Sequence, residues 1–179
     1  MFNFKNMSIL FKISRIWNVL LCLAMFSCVG TTTEEKYYND LGEIRFDEKL
    51  DDINFKVCHE DYTFPFNYGG VGLVYTGEKR ELEKTYFDNY KNTRIEGQTG
   101  FITIRFIINC EGKAGRFRVE EMDLNLEPKK FDDTISTQII NITKSLDGWQ
   151  AYEYEGITYD YQQYLTIKIE DGRLKDILP

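Results

Sequence analysis

The segment FITIRFII, residues 101–108, decides the fold of this 179-residue chain. Its apolar side chains alternate with others, and those at every second position are Ile102, Ile104, Phe106 and Ile108. Because successive side chains of a strand point to opposite faces, these four share one face, which a second layer must cover. Residues 111–115 (EGKAG) supply a turn, and residues 116–120 alternate again. The block therefore predicts a hairpin with one covered face.

Two amphipathic helices flank this hairpin in the sequence. Residues 78–92 are good helix formers, with an apolar stripe at Leu82, Tyr86 and Tyr90. Residues 132–147 carry a second stripe, and Asp132 or Asp133 can cap its start. That second stripe consists of Ile135, Ile139, Ile142 and Leu146. One or both of these segments are expected to pack on the sheet.

A closing strand and several weaker features complete the pattern. In residues 164–170, Leu165, Ile167 and Ile169 face inward. Residues 53–57 also alternate as a strand would, and a change of apolar parity between Val119 and Met122 suggests a bulge or a bend. The order strand, strand, helix, strand predicts an α+β fold, with a small antiparallel sheet packed on one or two helices.

Residues 100–170 resemble the C-terminal domain of TonB-type energy transducers, especially the divergent forms of Bacteroidetes-like bacteria. The resemblance rests on Gly100 and the strand after it, on the turn glycine Gly112, on a helix that ends at Gly148-Trp149, and on the closing strand. It covers under half of the chain. It implies a TonB-like fold that binds an extended peptide at an open sheet edge.

The closing strand is the expected edge, and the alternative is that it is paired on both sides inside the sheet. The residues of this expected binding edge are Tyr164, Leu165, Thr166, Ile167, Lys168 and Ile169. The chain also departs from the family. It has three prolines rather than a Pro-rich rod, Ala151 stands where the family usually has proline, and residues 40–95 have no counterpart in the basic domain. We therefore expect a binding or assembly module that does not transduce energy.

The first 28 residues resemble a bacterial lipoprotein signal. Basic residues precede an apolar core at 16–26, which is too short for a membrane span and stops at Ser27-Cys28. This predicts a signal peptide over 1–27, a lipidated Cys28 with a tether over 28–40, and a single domain over 41–179. Within that domain, 41–95 is an N-terminal elaboration and 96–179 is the TonB-like core.

This signal predicts localisation to the cell envelope. The lipid is expected in the outer membrane, and the domain is expected to face the periplasm or the cell surface. Cleavage without lipid and retention as an anchor are the alternatives. Either Met1 or Met7 can be the start, because both leave Lys12 and Arg15 ahead of the apolar core.

Composition limits the partners. Removal of residues 1–27 leaves 19 basic and 29 acidic residues, a formal net charge of −10. Nucleic acids are excluded as partners, because they are bound through clusters of Lys and Arg. The expected partner is an envelope protein or peptide, and the lipid would supply the contact with the membrane.

Cys58 and Cys110 are the cysteines that remain after Cys22 leaves with the signal and Cys28 takes the lipid. In an oxidising compartment they favour a disulfide, with two separate buried thiols as the alternative. Closure of a loop of this length would stabilise the fold by about 4 kcal/mol.

The sequence predicts neither a catalytic centre nor a metal or cofactor site. The run of residues 58–61 (CHED) resembles a ligand set, but neighbouring strand residues point apart. Ser136 and Ser145 both lie on the second predicted helix, away from any nucleophile elbow. An unrecognised hydrolase is the third hypothesis, after protein binding and glycan binding.

Glycan binding is the second hypothesis because aromatic side chains cluster late in the chain. Exposed aromatic faces bind sugar rings, although Tyr and Trp also pack within sheets with their polar tips in water. The residues of this expected aromatic surface are Trp149, Tyr152, Tyr154, Tyr159 and Tyr161. Gly156 lies between two tyrosine pairs, so the stretch can form one hairpin.

Overall fold

The computed structural model describes residues 42–59, 63–65 and 72–178. The predicted signal, Cys28 and the tether lie outside these residues. In the described ranges, no helix combines the length and the hydropathy that crossing a membrane requires. The elements in chain order are helix α1 (Glu78–Asn89), strands β1 (Gly100–Ile108) and β2 (Ala114–Met122), helix α2 (Asp133–Lys144), and strands β3 (Tyr152–Tyr154), β4 (Ile157–Tyr159), β5 (Tyr161–Glu170) and β6 (Arg173–Leu178).

Four of the strands form an antiparallel sheet in the order β2-β1-β5-β6, and β3 pairs with β4 as a separate hairpin. Both helices contribute to the same hydrophobic core as β1 and β5. The predicted α+β class with a small antiparallel sheet is confirmed, and two helices are present where one or two were expected.

The covered face of the sheet is the one that the alternation of β1 predicts. Ile102 and Ile104 are fully buried beneath the apolar stripes of α1 and α2. Tyr86 of α1 and Thr143 of α2 share a buried hydrogen bond of 2.6 Å between their hydroxyl oxygens, which joins the two helices. Asp132 caps α2, since its carboxylate accepts the N–H of Thr134 at 2.9 Å.

The opposite face of the sheet is partly covered by residues 42–57. Ile44, Phe55 and Val57 pack against Ile107 there. The prediction of a strand over 53–57 is wrong, because hydrogen bonds to Asp52 hold the start of this segment in a turn. The backbone and side-chain amides of Asn54 both donate to the Asp52 carboxylate, and the N–H of Phe55 donates to the Asp52 carbonyl.

An ion pair completes this second layer. The Arg118 guanidinium donates to both carboxylate oxygens of Asp51, at 2.7 and 2.8 Å, and to the carbonyl of Arg45 at 2.6 Å. The Asp51 side chain is 1% exposed. The hydrogen bond from Arg118 holds the pKa of Asp51 below its usual value, despite the opposing effect of burial.

The register irregularity lies elsewhere than predicted. Val119 and Met122 pair regularly with Ile104 and Phe101. The irregularity occurs opposite Arg105 and Ile107, where Arg116 has a φ of 54°. Val119 and Met122 are three residues apart in a regular strand, so their side chains simply lie on opposite faces.

The prediction that the closing strand forms an open edge of the sheet is also wrong. The strand that holds Tyr164, Leu165, Thr166, Ile167, Lys168 and Ile169 pairs with β1 on one side and with β6 on the other. The cause is the turn at Asp171-Gly172, which leads into a further strand that the sequence analysis did not identify. The closing strand is therefore a central strand, and β2 and β6 are the edges of the sheet.

Candidate functional site

The hairpin formed by β3 and β4 is the candidate functional site. Its two-residue turn consists of Glu155 and Gly156, whose φ values of 51° and 78° are both positive. This is the backbone of a type I′ turn, which matches the twist of the paired strands. The hairpin therefore holds a fixed register, with Tyr152 opposite Tyr159 and Tyr154 opposite Ile157.

One face of the hairpin is entirely apolar or aromatic. Residues directly opposite each other in a hairpin share a face, so Tyr152, Tyr154, Ile157 and Tyr159 lie together. At the base of this face, Phe64 makes edge-to-face contacts with Tyr159 and Tyr152, at centroid distances of 4.8 and 5.5 Å. The base of the hairpin is therefore packed against the domain.

The tip of the same face is left in solvent. Tyr154 is 53% exposed and Ile157 is 51% exposed. Exposed acidic or polar residues surround this pair: Glu153 on β3, Glu155 in the turn and Thr158 on β4. From Ser145 to Ile167 the sequence contains no lysine or arginine. The tip is thus an apolar pair on an acidic projection.

Phe64, which supports the base, is itself held by backbone pairing with β5. Its N–H donates to the carbonyl of Asp160 at 2.9 Å, and its carbonyl accepts the N–H of Gln162 at 2.8 Å. Two strand-like hydrogen bonds fix the position of this ring on the sheet.

The buried carboxylate of Asp160 organises the same region. Its Oδ1 accepts the N–H of Cys110 at 2.8 Å, and its Oδ2 accepts the N–H of His59 at 2.6 Å. The His59 ring lies 3.6 Å from this carboxylate and 5.8 Å from the ring of Tyr159. Asp160 directly follows β4, so one side chain connects the hairpin to both cysteine segments.

Cys58 and Cys110 form the expected disulfide, with their Cα atoms 6.0 Å apart. Their sulfur atoms and an Asp160 oxygen lie within 4.8 Å of one another, a grouping with the spacing of a metal site. The sulfurs are bonded to each other, however, and do not offer the thiolates that a metal of this ligand type requires. The cluster is a structural crosslink beneath the hairpin.

The expected aromatic surface is only partly a surface. Trp149 is 6% exposed and makes edge-to-face contacts with Tyr75 and Phe106, at centroid distances of 4.9 and 5.2 Å. Tyr161 is fully buried, donates its hydroxyl to the Gln150 carbonyl at 2.9 Å, and has a pKa raised by that burial. For Trp149 and Tyr161 the predicted surface position is therefore wrong, and the alternative, packing within the domain, is what the structure has. Tyr152 and Tyr159 are half-buried, and Tyr154 alone of the five is mostly exposed.

The edges of the sheet are occupied in part by other groups. On β6, the N–H of Leu174 donates to the side chain of Asn92, and that of Ile177 donates to the side chain of Asp176. On β2, the carbonyl of Glu121 accepts the N–H of Lys129. These bonds use backbone groups that an added peptide strand would need, which protects an edge against strand addition.

The site contains residues that sequence reasoning did not identify. Ile157 completes the exposed pair, and the Glu155-Gly156 turn between two aromatic strands was a usable signal for it. Phe64 gave no such signal, because its role depends on pairing with a segment almost a hundred residues away. In comparisons with known proteins, no family model matches the chain, and neither a curated protein nor a solved structure matches it.

Proposed function

We propose that this chain is a lipid-anchored, non-enzymatic module of a bacterial cell envelope, which binds a protein partner through the tip of the β3–β4 hairpin. The observation that carries the proposal is the pair Tyr154 and Ile157. Both side chains are about half exposed, yet the hairpin below them is packed against Phe64.

A protein partner fits this tip for energetic reasons. Tyrosine is enriched among the residues that dominate interface energies, since its large ring loses little conformational entropy on binding. A pre-formed turn and a fixed base reduce that entropic cost further.

Charge narrows the chemistry of the partner. Glu153 and Glu155 flank the apolar pair, and no basic residue lies nearby in the sequence. The complementary surface is an apolar pocket whose rim carries lysine or arginine. Such a rim would accelerate association and discriminate against acidic partners.

The TonB-like fold is part of the proposal. Its support is the order of the elements that carry the resemblance: a hairpin, a helix ending before Gly148-Trp149, and the long strand of residues 161–170. Recognition by strand addition at residues 164–169 is not retained, because that strand has a neighbour on each side.

The anchor rests on the sequence of the first 28 residues. We expect Cys28→Ala to abolish lipid attachment, so that the mass of the mature chain loses its acyl groups and the chain leaves the membrane fraction. A chain that stays membrane-bound without acylation would contradict the lipid anchor and leave the hairpin to be tested separately.

Photo-crosslinking in the native envelope tests the binding proposal. A photoreactive amino acid at position 154 should give a discrete adduct, identified by mass spectrometry as one protein with a basic-rimmed apolar pocket. The matched control is position 87, because Phe87 is also 50% exposed but lies on α1.

Adduct formation at 154 and its absence at 87 would support the proposal. Equal labelling at the two positions, or no adduct at 154 when the protein is present at its natural level, would contradict it.

A further inference from the structure

A second candidate binding site lies away from the hairpin, between the end of α1 and the outer side of α2. It is a solvent-open cleft of about 600 Å³. This volume falls within the range of roughly 300–1,000 Å³ that is usual for small-molecule sites. None of its lining residues belongs to β3, β4 or the disulfide region.

One wall of the cleft is a polar stripe along α2. Thr134, Gln138, Asn141 and Ser145 line it, at spacings of four, three and four residues. Such spacing places side chains on one face of a helix. Each residue directly precedes a member of the apolar stripe, so the polar stripe runs beside the part of α2 that packs on the sheet.

The other wall follows α1 and holds Asn89, Lys91, Asn92 and Thr93. Hydrogen bonds to backbone groups hold two of its side-chain amides in place. The Asn92 Oδ1 accepts the N–H of Leu174 at 3.0 Å, and the Asn89 Nδ2 donates to the carbonyl of Thr85 at 2.7 Å. The opposite end of each amide, Nδ2 of Asn92 and Oδ1 of Asn89, makes no hydrogen bond within the described residues.

Hydrogen bonds between the two helical segments already link the two walls in the absence of a ligand. Gln138 accepts the N–H of Lys91 at 2.9 Å and donates to its carbonyl at 3.3 Å, in the manner of a paired strand. Deeper in the fold, the bond between Tyr86 and Thr143 joins the same two helices. Because the two helices are already joined, ligand binding does not have to bring the two walls together.

We infer that this cleft binds a short segment of saccharide. Its lining combines carboxamides and hydroxyls, groups that both donate and accept hydrogen bonds, as each sugar hydroxyl also does. Ile142 is also a lining residue, but it is only 7% exposed, so the side chains that a ligand meets are those of the polar residues. The site is separate from the exposed aromatic surface that the sequence suggested for glycans.

Charge separates this ligand class from others. The lining contains no carboxylate, and Lys91 is its single cation. Nucleotides and phosphorylated ligands are usually held by several cations or by a backbone nest. One ammonium group, on a protein that is otherwise strongly acidic, favours neutral sugars and those with a single carboxylate per ring.

The test is titration of the full chain, held in a sugar-free detergent, with maltotriose, N-acetylchitotriose and trigalacturonate. We expect at least one of them to saturate at millimolar or lower concentration and to shift the side-chain amide NMR signal of Asn141. The variant Asn141→Ala should weaken that binding about tenfold, which corresponds to one hydrogen bond of about 1.4 kcal/mol. Lys91→Gln should weaken trigalacturonate more than maltotriose.

The matched control is Asn125→Ala, since Asn125 is also exposed but lies in the turn after β2. The sugar affinity of this variant should equal that of the unchanged chain. A Tyr154→Ala, Ile157→Ala double variant should also keep the unchanged sugar affinity. Failure of all three sugars to saturate, or equal affinities of the Asn141 and Asn125 variants, would overturn the inference without affecting the hairpin proposal.

Free sugars and polymers present the same chemistry to an open cleft. The affinities for trigalacturonate and polygalacturonate, compared at equal concentration of sugar residues, show whether the ligand is a free saccharide or part of a polymer. Tighter binding of the polymer indicates an internal chain segment, and tighter binding of the trimer indicates a free saccharide.

Discussion

Strand β5 and the β3–β4 hairpin are built from similar residues but have opposite environments. In β5 every second side chain is buried, from Tyr161 to Ile169, because α1, α2 and two neighbouring strands surround it. In the hairpin the same alternation of aromatic and aliphatic residues produces one apolar face, of which half is covered by Phe64. The other half, Tyr154 and Ile157, is in solvent.

The difference shows that alternation determines which side chains share a face, whereas tertiary neighbours determine whether that face is covered. A covered face contributes stability. An uncovered face on a rigid support contributes little stability and is available for binding. Substitutions in the two regions can separate these two roles by experiment.

The largest effect on stability should come from the disulfide beneath the hairpin. We expect the Cys58→Ser, Cys110→Ser double variant to lose about 4 kcal/mol of unfolding free energy, because its unfolded chain is no longer closed into a loop. Urea unfolding followed by Trp fluorescence measures the loss. Amide hydrogen exchange should accelerate more in the hairpin than in β5. A loss below about 1 kcal/mol, or equal acceleration in both elements, would contradict this support role.

Matched isoleucine substitutions compare the two regions directly. Ile167→Ala in β5 removes a fully buried side chain and should cost about 3 kcal/mol. Ile157→Ala at the hairpin tip should cost less than about 0.5 kcal/mol. The urea midpoints of the two variants provide the comparison. Similar losses would mean that the tip is covered in the folded protein and is not a free surface.

The second face of the sheet depends on charge rather than on apolar burial alone. The pKa of Asp51 is lowered in the folded state, mainly by the hydrogen bond from Arg118, so its stabilising effect is complete above the unfolded-state pKa. As pH falls below about 4 and through the folded-state pKa, that stability is lost.

Asp51→Asn tests this pH dependence. It should cost about 2 kcal/mol at pH 7, and the cost should shrink as the unfolding free energy is measured at lower pH. The control is Glu48→Gln, because Glu48 is exposed and makes no ion pair among the described residues. A cost for Asp51→Asn that is the same at pH 7 and pH 3 would contradict the assigned cause.

Local patterns in the sequence were sufficient for the elements that define the core. The stripe of Leu82 and Tyr86, the cap expected at Asp132 or Asp133, and the alternation from Ile102 to Ile108 each predicted an element that the structure contains. The physical reason is that the burial of one face imposes its period on the residues of that element.

Strand order was beyond the reach of the same patterns. A central strand and an edge strand can carry the same alternation, and β6 is short and only partly apolar, so nothing local placed it beside residues 164–169. The support of the hairpin by Phe64 and the cleft between α1 and α2 also depend on contacts between distant segments. The turn at Glu155-Gly156 was the one part of the hairpin site with a local signature.

The affinity for the protein crosslinked through position 154 tests the central claim most directly. The Tyr154→Ala, Ile157→Ala double variant should weaken binding to the purified partner at least about a hundredfold, as expected when two anchor residues are removed. Its unfolding free energy should stay within about 1 kcal/mol of the unchanged chain. Phe87→Ala should leave the affinity unchanged. Retention of the original affinity by the folded double variant would contradict the claim that the hairpin tip is the binding site.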